Sequence, residues 1–249
     1  MSNFRPNTNA IPPVVKNLII INALMLLATY VLEMKGIDLP NILGLHYIQS
    51  PDFKPYQFVT HMFMHGGIMH LVFNMFALWM FGRVLENVWG PKRFFIFYFV
   101  TGLGAAVFYS LVNFVEFQYF AGKMLPETVQ MVMTQGAEIL NQGKNFSDPL
   151  ASKLNLILNV PTVGASGAVF GILLGFGMLF PNTQLMLLFP PIPIKAKYFV
   201  MGYGAIELFF GIQSIAQSGS NIAHFAHLGG MLFGFILIKY WNTKTTNFY

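Results

Sequence analysis

The chain has 249 residues, 55% hydrophobic and only 9% charged, with a mean hydropathy of +0.58. A soluble domain carries about a quarter of its residues charged, so this balance excludes an ordinary soluble protein. The net charge is +5, from scattered basic residues that form no nucleic-acid-binding run, and the absence of cysteine excludes disulfides, thiol catalysis and cysteine–zinc centres.

Six apolar segments have spanning character, at residues 15–32, 68–86, 93–115, 163–180, 197–214 and 222–241. A span needs about 20 apolar residues, so the shorter ones suit a compact bundle. The fold class expected is an all-α polytopic membrane protein. The first segment is long for the apolar part of a signal peptide, and no small-x-small cleavage site precedes Glu33 and Lys35. It reads as an uncleaved span behind a short N-terminal segment, 1–14. Residues 33–67 are rich in Pro, His and aromatics and are expected to dip into the membrane interface. Gly66-Gly67 should then break any helix running on from Tyr56–Met64, which puts His70 near the outer start of span two.

Residues 116–162 join spans three and four as a long insert. Within it "PETVQMVMTQGAEIL" opens on Pro126-Glu127 and sets Val129, Val132, Met133, Ala137 and Leu140 at helical spacing. That pattern predicts an amphipathic surface helix. The core of six spans occupies 15–241, and a tail, 242–249, closes the chain. With the N-terminus in the cytoplasm, Arg5, Lys16, Arg83, Lys92, Arg93, Lys195, Lys197, Lys239 and Lys244 lie inside. Lys35, Lys54, Lys123, Lys144 and Lys153 lie outside. The excess of basic residues in the short inner loops favours this orientation, with both termini cytoplasmic.

"VPTVGASGAVFGILLGFG" carries a serine, Ser166, at the outer head of span four. Gly167, Gly171 and Gly175 repeat every fourth position, a stripe that lets membrane helices approach closely, and Ser166 alone fits such a packing role. A serine nucleophile needs a base within hydrogen-bond reach. Of six histidines, His224 and His227 in "NIAHFAHLGGMLFG" begin span six at the depth of Ser166, and Gly229, Gly230 and Gly234 follow. His70 and Asn74 are four apart, so they share a face of span two and can donate together to an oxyanion. Interhelical hydrogen bonding is the plainer use of the same pair.

These residues together resemble the rhomboid intramembrane serine proteases. The motifs are His70-x-x-x-Asn74, Gly164-Ala165-Ser166-Gly167 and Ala223-His224 ahead of a glycine-rich helix, in that order on spans two, four and six. The resemblance implies a six-transmembrane-helix rhomboid-like bundle. It also implies a Ser166–His224 dyad without a third carboxylate, His224 being assigned as base because it follows Ala223, with His227 as support. The oxyanion hole would use the backbone N–H groups of Ser166 and Ala165 with the side chains of His70 and Asn74. Phe170 would pack on the His224 ring, and Glu86 would stand where the family has a structural glutamate. "PPIPIKAK", 190–197, would be the loop between spans four and five.

The partners implied are membrane-protein substrates with a transmembrane segment, within a lipid bilayer and without nucleic acid. The membrane expected is a bacterial inner (cell) membrane, and no cofactor or metal is called for. A non-proteolytic relative that binds transmembrane segments is the main alternative. His61 and His65, four apart, offer a zinc pair, but H-E-x-x-H is absent and no carboxylate lies nearby in the 53–85 stretch. Glu207 within span five is the argument for a transporter, against a simple packing role.

Overall fold

The computed structural model describes residues 11–186, 191–216 and 224–245. Ala223, Pro190, the first ten residues and the last four residues of the tail lie outside them. Among the described residues each of the six apolar segments falls largely on a helix: α1 (Pro13–Glu33), α2 (Ile68–Trp89), α3 (Pro91–Ala121), α6 (Ser166–Leu179), α7 (Ala196–Ala216) and α8 (His224–Thr245). The insert adds α4 (Pro126–Asn141) and α5 (Pro149–Asn159). By length and composition α1, α2 and α3 can cross a membrane, and α6 is a shorter apolar helix of 14 residues. The chain is an integral membrane protein.

Local chemistry sets the helix ends. Proline opens α1, α3, α4 and α5, where its missing N–H costs nothing. The next two donors of α1, the N–H groups of Val14 and Val15, are taken by the two carboxylate oxygens of Glu86 at 2.9 and 2.8 Å. Glu86 is buried on α2, so this carboxylate caps a neighbouring helix and balances the partial positive charge of its N-terminus. Gly67 precedes α2 at φ +146°, the break expected from the paired glycines. Within α2 a π turn runs from Leu78 to Gly82, a widening that its uniformly apolar sequence does not announce.

The core is built on α3, α6 and α8, which pack mutually, with α7 against α6 and α8 and α1 against α2. Gly167 and Gly230 permit this closeness. A Cβ on Gly167 would lie 2.5 Å from Cβ of Ala105, and one on Gly230 would lie 1.9 Å from the Gly167 carbonyl oxygen. No larger residue fits either position without moving a helix. Between α6 and α7 the "PPIPIKAK" region contributes to a small two-stranded sheet, β1 (Gln184–Met186) antiparallel to β2 (Pro193–Lys195), with Leu185 opposite Ile194.

The insert forms a helical hairpin with its own small core. Tyr47, Phe117, Phe120, Val132, Leu154 and Leu158 come together there. At 31 residues α3 is about 46 Å long, well beyond a bilayer core of about 30 Å, and its overhang supports this cluster. The helix expected from "PETVQMVMTQGAEIL" is α4, but its buried face differs from the one expected. Val132 and Gly136 are buried while Met133 and Ala137 are exposed. Gly136 admits Asn155 of α5, whose Nδ2 donates to the Gly136 carbonyl at 3.2 Å. A polar contact through a glycine therefore rotates the helix away from its most apolar stripe.

Candidate active site

Ser166 is the first residue of α6. The strand-like segment ahead of it is clamped by the 33–67 loop. Leu45 and Thr162 exchange two backbone hydrogen bonds of 2.9 Å, and the Gly164 N–H donates to the His61 carbonyl at 2.9 Å. Gly164 holds φ +136°, a conformation that side chains rarely adopt. A Cβ there would meet Cε1 and Nε2 of His70 at 2.9 and 3.0 Å, and Oγ of Ser166 at 3.5 Å. The bare glycine thus lets the His70 ring lie beside the serine.

Ser166 Oγ lies 2.9 Å from Nε2 of His227. This differs from the expected pairing with His224. Nδ1 of His224 lies instead 2.7 Å from Oε2 of Glu207, and Nδ1 of His227 lies 2.9 Å from the same oxygen. Phe170 likewise stacks on His227 rather than His224, with ring centroids 4.1 Å apart and planes within 3°. The reason is helix register. Gly230 rests on Gly167 and Gly234 on Gly171, which brings Ser166 level with Gly229. At about 1.5 Å per residue, His227 stands about 3 Å above that level and His224 about 7.5 Å.

A carboxylate only accepts hydrogen bonds, so with Glu207 ionised it is Nδ1 of His227 that carries the proton. Nε2 is then the acceptor, and the Ser166 hydroxyl donates to it. The carboxylate-free dyad implied by the resemblance is therefore not the arrangement found. The sequence presents Glu207 as a packing or ion-path residue and does not announce its place beside two histidines. The available signal was one acid in α7 opposite a His-x-x-His pair at the start of the next helix.

The other expected members surround the same point. The Gly66 N–H donates to Nδ1 of His70 at 3.3 Å, which leaves Nε2 as the protonated nitrogen of the neutral ring. Asn74 spends one amide hydrogen on the His70 carbonyl at 2.9 Å and keeps a second. Ala165 caps α6 and is fully buried. The first N–H groups of a helix have no partner within it, so those of α6 are available at Ser166. Gly167 packs beneath, away from the opening.

His61 and His65 belong to the supporting loop. His61 is buried with its Nδ1 2.8 Å from the Gln57 carbonyl oxygen, and the His65 ring sits edge-on to His70 at 5.1 Å. Burial pushes both rings down to about 4, with the neighbouring His70 adding to the effect at His65. They are neutral at pH 7.

The serine and the groups around it face a cavity of about 1160 Å³. Ser166, His70, Asn74, His227 and Glu207 line it, and so do Lys153 and Leu156 of α5. The insert accordingly borders the site.

Comparison with known proteins gives the same direction. The family model described as the Rhomboid domain matches residues 52–242. "RHOMBOID-like protein 12, mitochondrial" of Arabidopsis thaliana is 31% identical over 173 residues, 69% of this chain and 42% of that protein. "Rhomboid protein 1, mitochondrial" of Saccharomyces cerevisiae is 26% identical over 172 residues, 69% of this chain and 38% of its own length. "Rhomboid protease GluP" of Bacillus subtilis is 24% identical over 180 residues, covering 72% of this chain and 25% of that protein. The chain spans less than half the length of these three relatives, and two of them are mitochondrial, so the similarity does not single out a bacterial membrane. With a matching model across more than half its length, the chain belongs to the rhomboid family.

Proposed function

We propose that this protein is a six-span intramembrane serine endopeptidase that cuts transmembrane segments of membrane proteins near the extracytoplasmic face. The observation that carries the reading is the 2.9 Å contact between Ser166 Oγ and His227 Nε2 at the head of α6, inside the cavity. Its companion is the His70 ring brought beside the same hydroxyl by Gly164. A relative named as a rhomboid protease adds support.

His227 is the base in this mechanism, in place of His224. Its Nε2 takes the Ser166 proton as Oγ attacks a substrate carbonyl. The N–H groups of Ser166 and Ala165, Nε2–H of His70 and the second amide hydrogen of Asn74 converge on the developing oxyanion. The positive end of α6 favours the same charge. His227 then protonates the leaving amine, and water attacks the acyl-enzyme by the reverse route. The 14 residues of α6 span about 21 Å against a bilayer core of about 30 Å, so with its inner end at the membrane face Ser166 lies below the outer surface. A substrate helix must unwind locally to present a peptide bond there, which favours small or helix-weakening residues at the cut.

The test is reaction of the detergent-solubilised protein with a fluorescent fluorophosphonate, alongside cleavage of a single-span substrate in reconstituted vesicles. Ser166→Ala should abolish both signals, and His227→Ala should lower them at least about 100-fold. His224→Ala should lower them less. Wild-type protein that is folded yet neither labels nor cleaves would leave a protein that binds transmembrane segments without cutting them.

A further inference from the structure

Glu207 sits in the middle of α7, and its neighbours Ile206, Leu208 and Phe209 are exposed. Its own side chain is turned inward and buried. A buried carboxylate in a membrane helix is costly unless partnered, and this one has two partners on a single oxygen. Oε2 lies 2.7 Å from Nδ1 of His224 and 2.9 Å from Nδ1 of His227. The second of those rings is the one that reaches Ser166.

We propose that Glu207 is a positioning residue of the catalytic site, completing a Ser166–His227–Glu207 triad, with His224 as a second clamp on the carboxylate. The inference rests on the serine-protease reading above. In it Glu207 accepts the Nδ1–H of His227, fixing the tautomer whose Nε2 can take the serine proton. Phe170 fixes the plane of the ring from one face, and Glu207 fixes its rotation. The proton moves from Ser166 Oγ to His227 Nε2 and on to the leaving amine. In the second half it moves from water to Nε2 and back to Ser166, while Glu207 neither gains nor loses one. The carboxylate supplies a fixed negative charge against the imidazolium formed in each half-reaction. His224 donates its own Nδ1–H to Oε2 and so holds Glu207 toward His227.

The same three side chains form a set that a divalent ion could bridge. The distances favour protons instead. Zinc at about 2.1 Å from each ligand would hold the nitrogens and the oxygen about 3.4 Å apart, wider than the contacts found.

The experiment compares Glu207→Gln with Glu207→Asp, by steady-state cleavage and by the rate of fluorophosphonate labelling. Glutamine keeps the shape but not the charge; aspartate keeps the charge on a shorter stem. Glu207→Gln should lower kcat by about 10²–10⁴ with KM little changed, and Glu207→Asp should retain more activity than Glu207→Gln. A role in packing alone reverses that order. Glu207→Gln within about threefold of wild type, while Ser166→Ala is dead, overturns the triad and leaves the protease reading intact. An inert wild type overturns both.

Should the variants fold poorly, wild-type protein labelled with 15N-histidine provides a second readout. His227 must show Nδ1 protonated and Nε2 bare, and the opposite tautomer overturns the proposal.

Discussion

Gly164 shows how a single residue sets the oxyanion side of the site. Its φ of +136° and the 2.9 Å approach of His70 both exclude a side chain. Backbone strain of this kind costs about 1–3 kcal/mol, so Gly164→Ala should slow fluorophosphonate labelling by at least about tenfold by displacing His70 or the serine. An unchanged labelling rate would remove Gly164 from the site's architecture. His70→Ala should lower kcat by about 10²–10³, the usual cost of one oxyanion donor. Asn74→Ala should cost less, because one of its two amide hydrogens already serves the His70 carbonyl. Equal losses in the two variants would contradict that ranking. Ser166, His70 and Asn74 were legible in the sequence because each stands at the start of an apolar run where polar groups are conspicuous. The choice between His224 and His227 needed the direction of the glycine stripe. At 100° per residue, His227 lies about 40° from the mean of Gly230 and Gly234, and His224 about 100°. His227 therefore shares the packing face of α8, and His224 does not.

At the scale of elements, two contacts join parts of the chain that hydropathy treats separately. Glu86 of α2 caps α1 through Val14 and Val15. Glu86→Ala strands both donors and should cost about 2–3 kcal/mol, seen as a lower unfolding midpoint in detergent. A midpoint within error of wild type would show that water replaces the cap freely. The 33–67 loop is the second case, since it holds the segment before Ser166 through His61 and Leu45. Burial lowers His61 and His65 to about 4, whereas both return to about 6.5 on unfolding. Protonation therefore favours the unfolded loop. The stabilisation is fully present above about pH 6.5 and is lost progressively as pH falls toward 4, by up to tenfold in the unfolding equilibrium per pH unit for each ring. His61→Gln should flatten the fall in unfolding midpoint over this window, and an unaltered slope would assign the acid sensitivity elsewhere. The position of the loop was visible in its prolines and aromatics. Its hold on Gly164 was not, because a backbone contact across about a hundred residues leaves no sequence pattern.

For the whole molecule, the apolar segments were the most legible feature, since lipid demands helices of a minimum length and hydrophobicity. The helical hairpin of the insert was legible only in its first half, because α5 is short and its approach to α4 runs partly through Gly136 and Asn155, a polar contact that hydropathy does not mark. The absence of cysteine makes this chain well suited to a direct measurement of how the helices cross the bilayer. Single cysteines at Lys92, Gln142 and Thr243, all exposed, report on three loops or ends. One crossing, α3, separates Lys92 from Gln142. If α6, α7 and α8 all cross, three more separate Gln142 from Thr243. In intact spheroplasts of a bacterial host, a membrane-impermeant maleimide should label Gln142→Cys at once. Lys92→Cys and Thr243→Cys should react only after permeabilisation if Arg83, Lys92, Arg93 and Lys239 lie on the inner side, as the basic-residue bias predicts. Thr243→Cys labelling together with Gln142→Cys would make the number of crossings after the insert even. One of the three C-terminal helices would then fail to cross, and Ser166 and His227, on α6 and α8, would lose the shared outer face on which the mechanism depends.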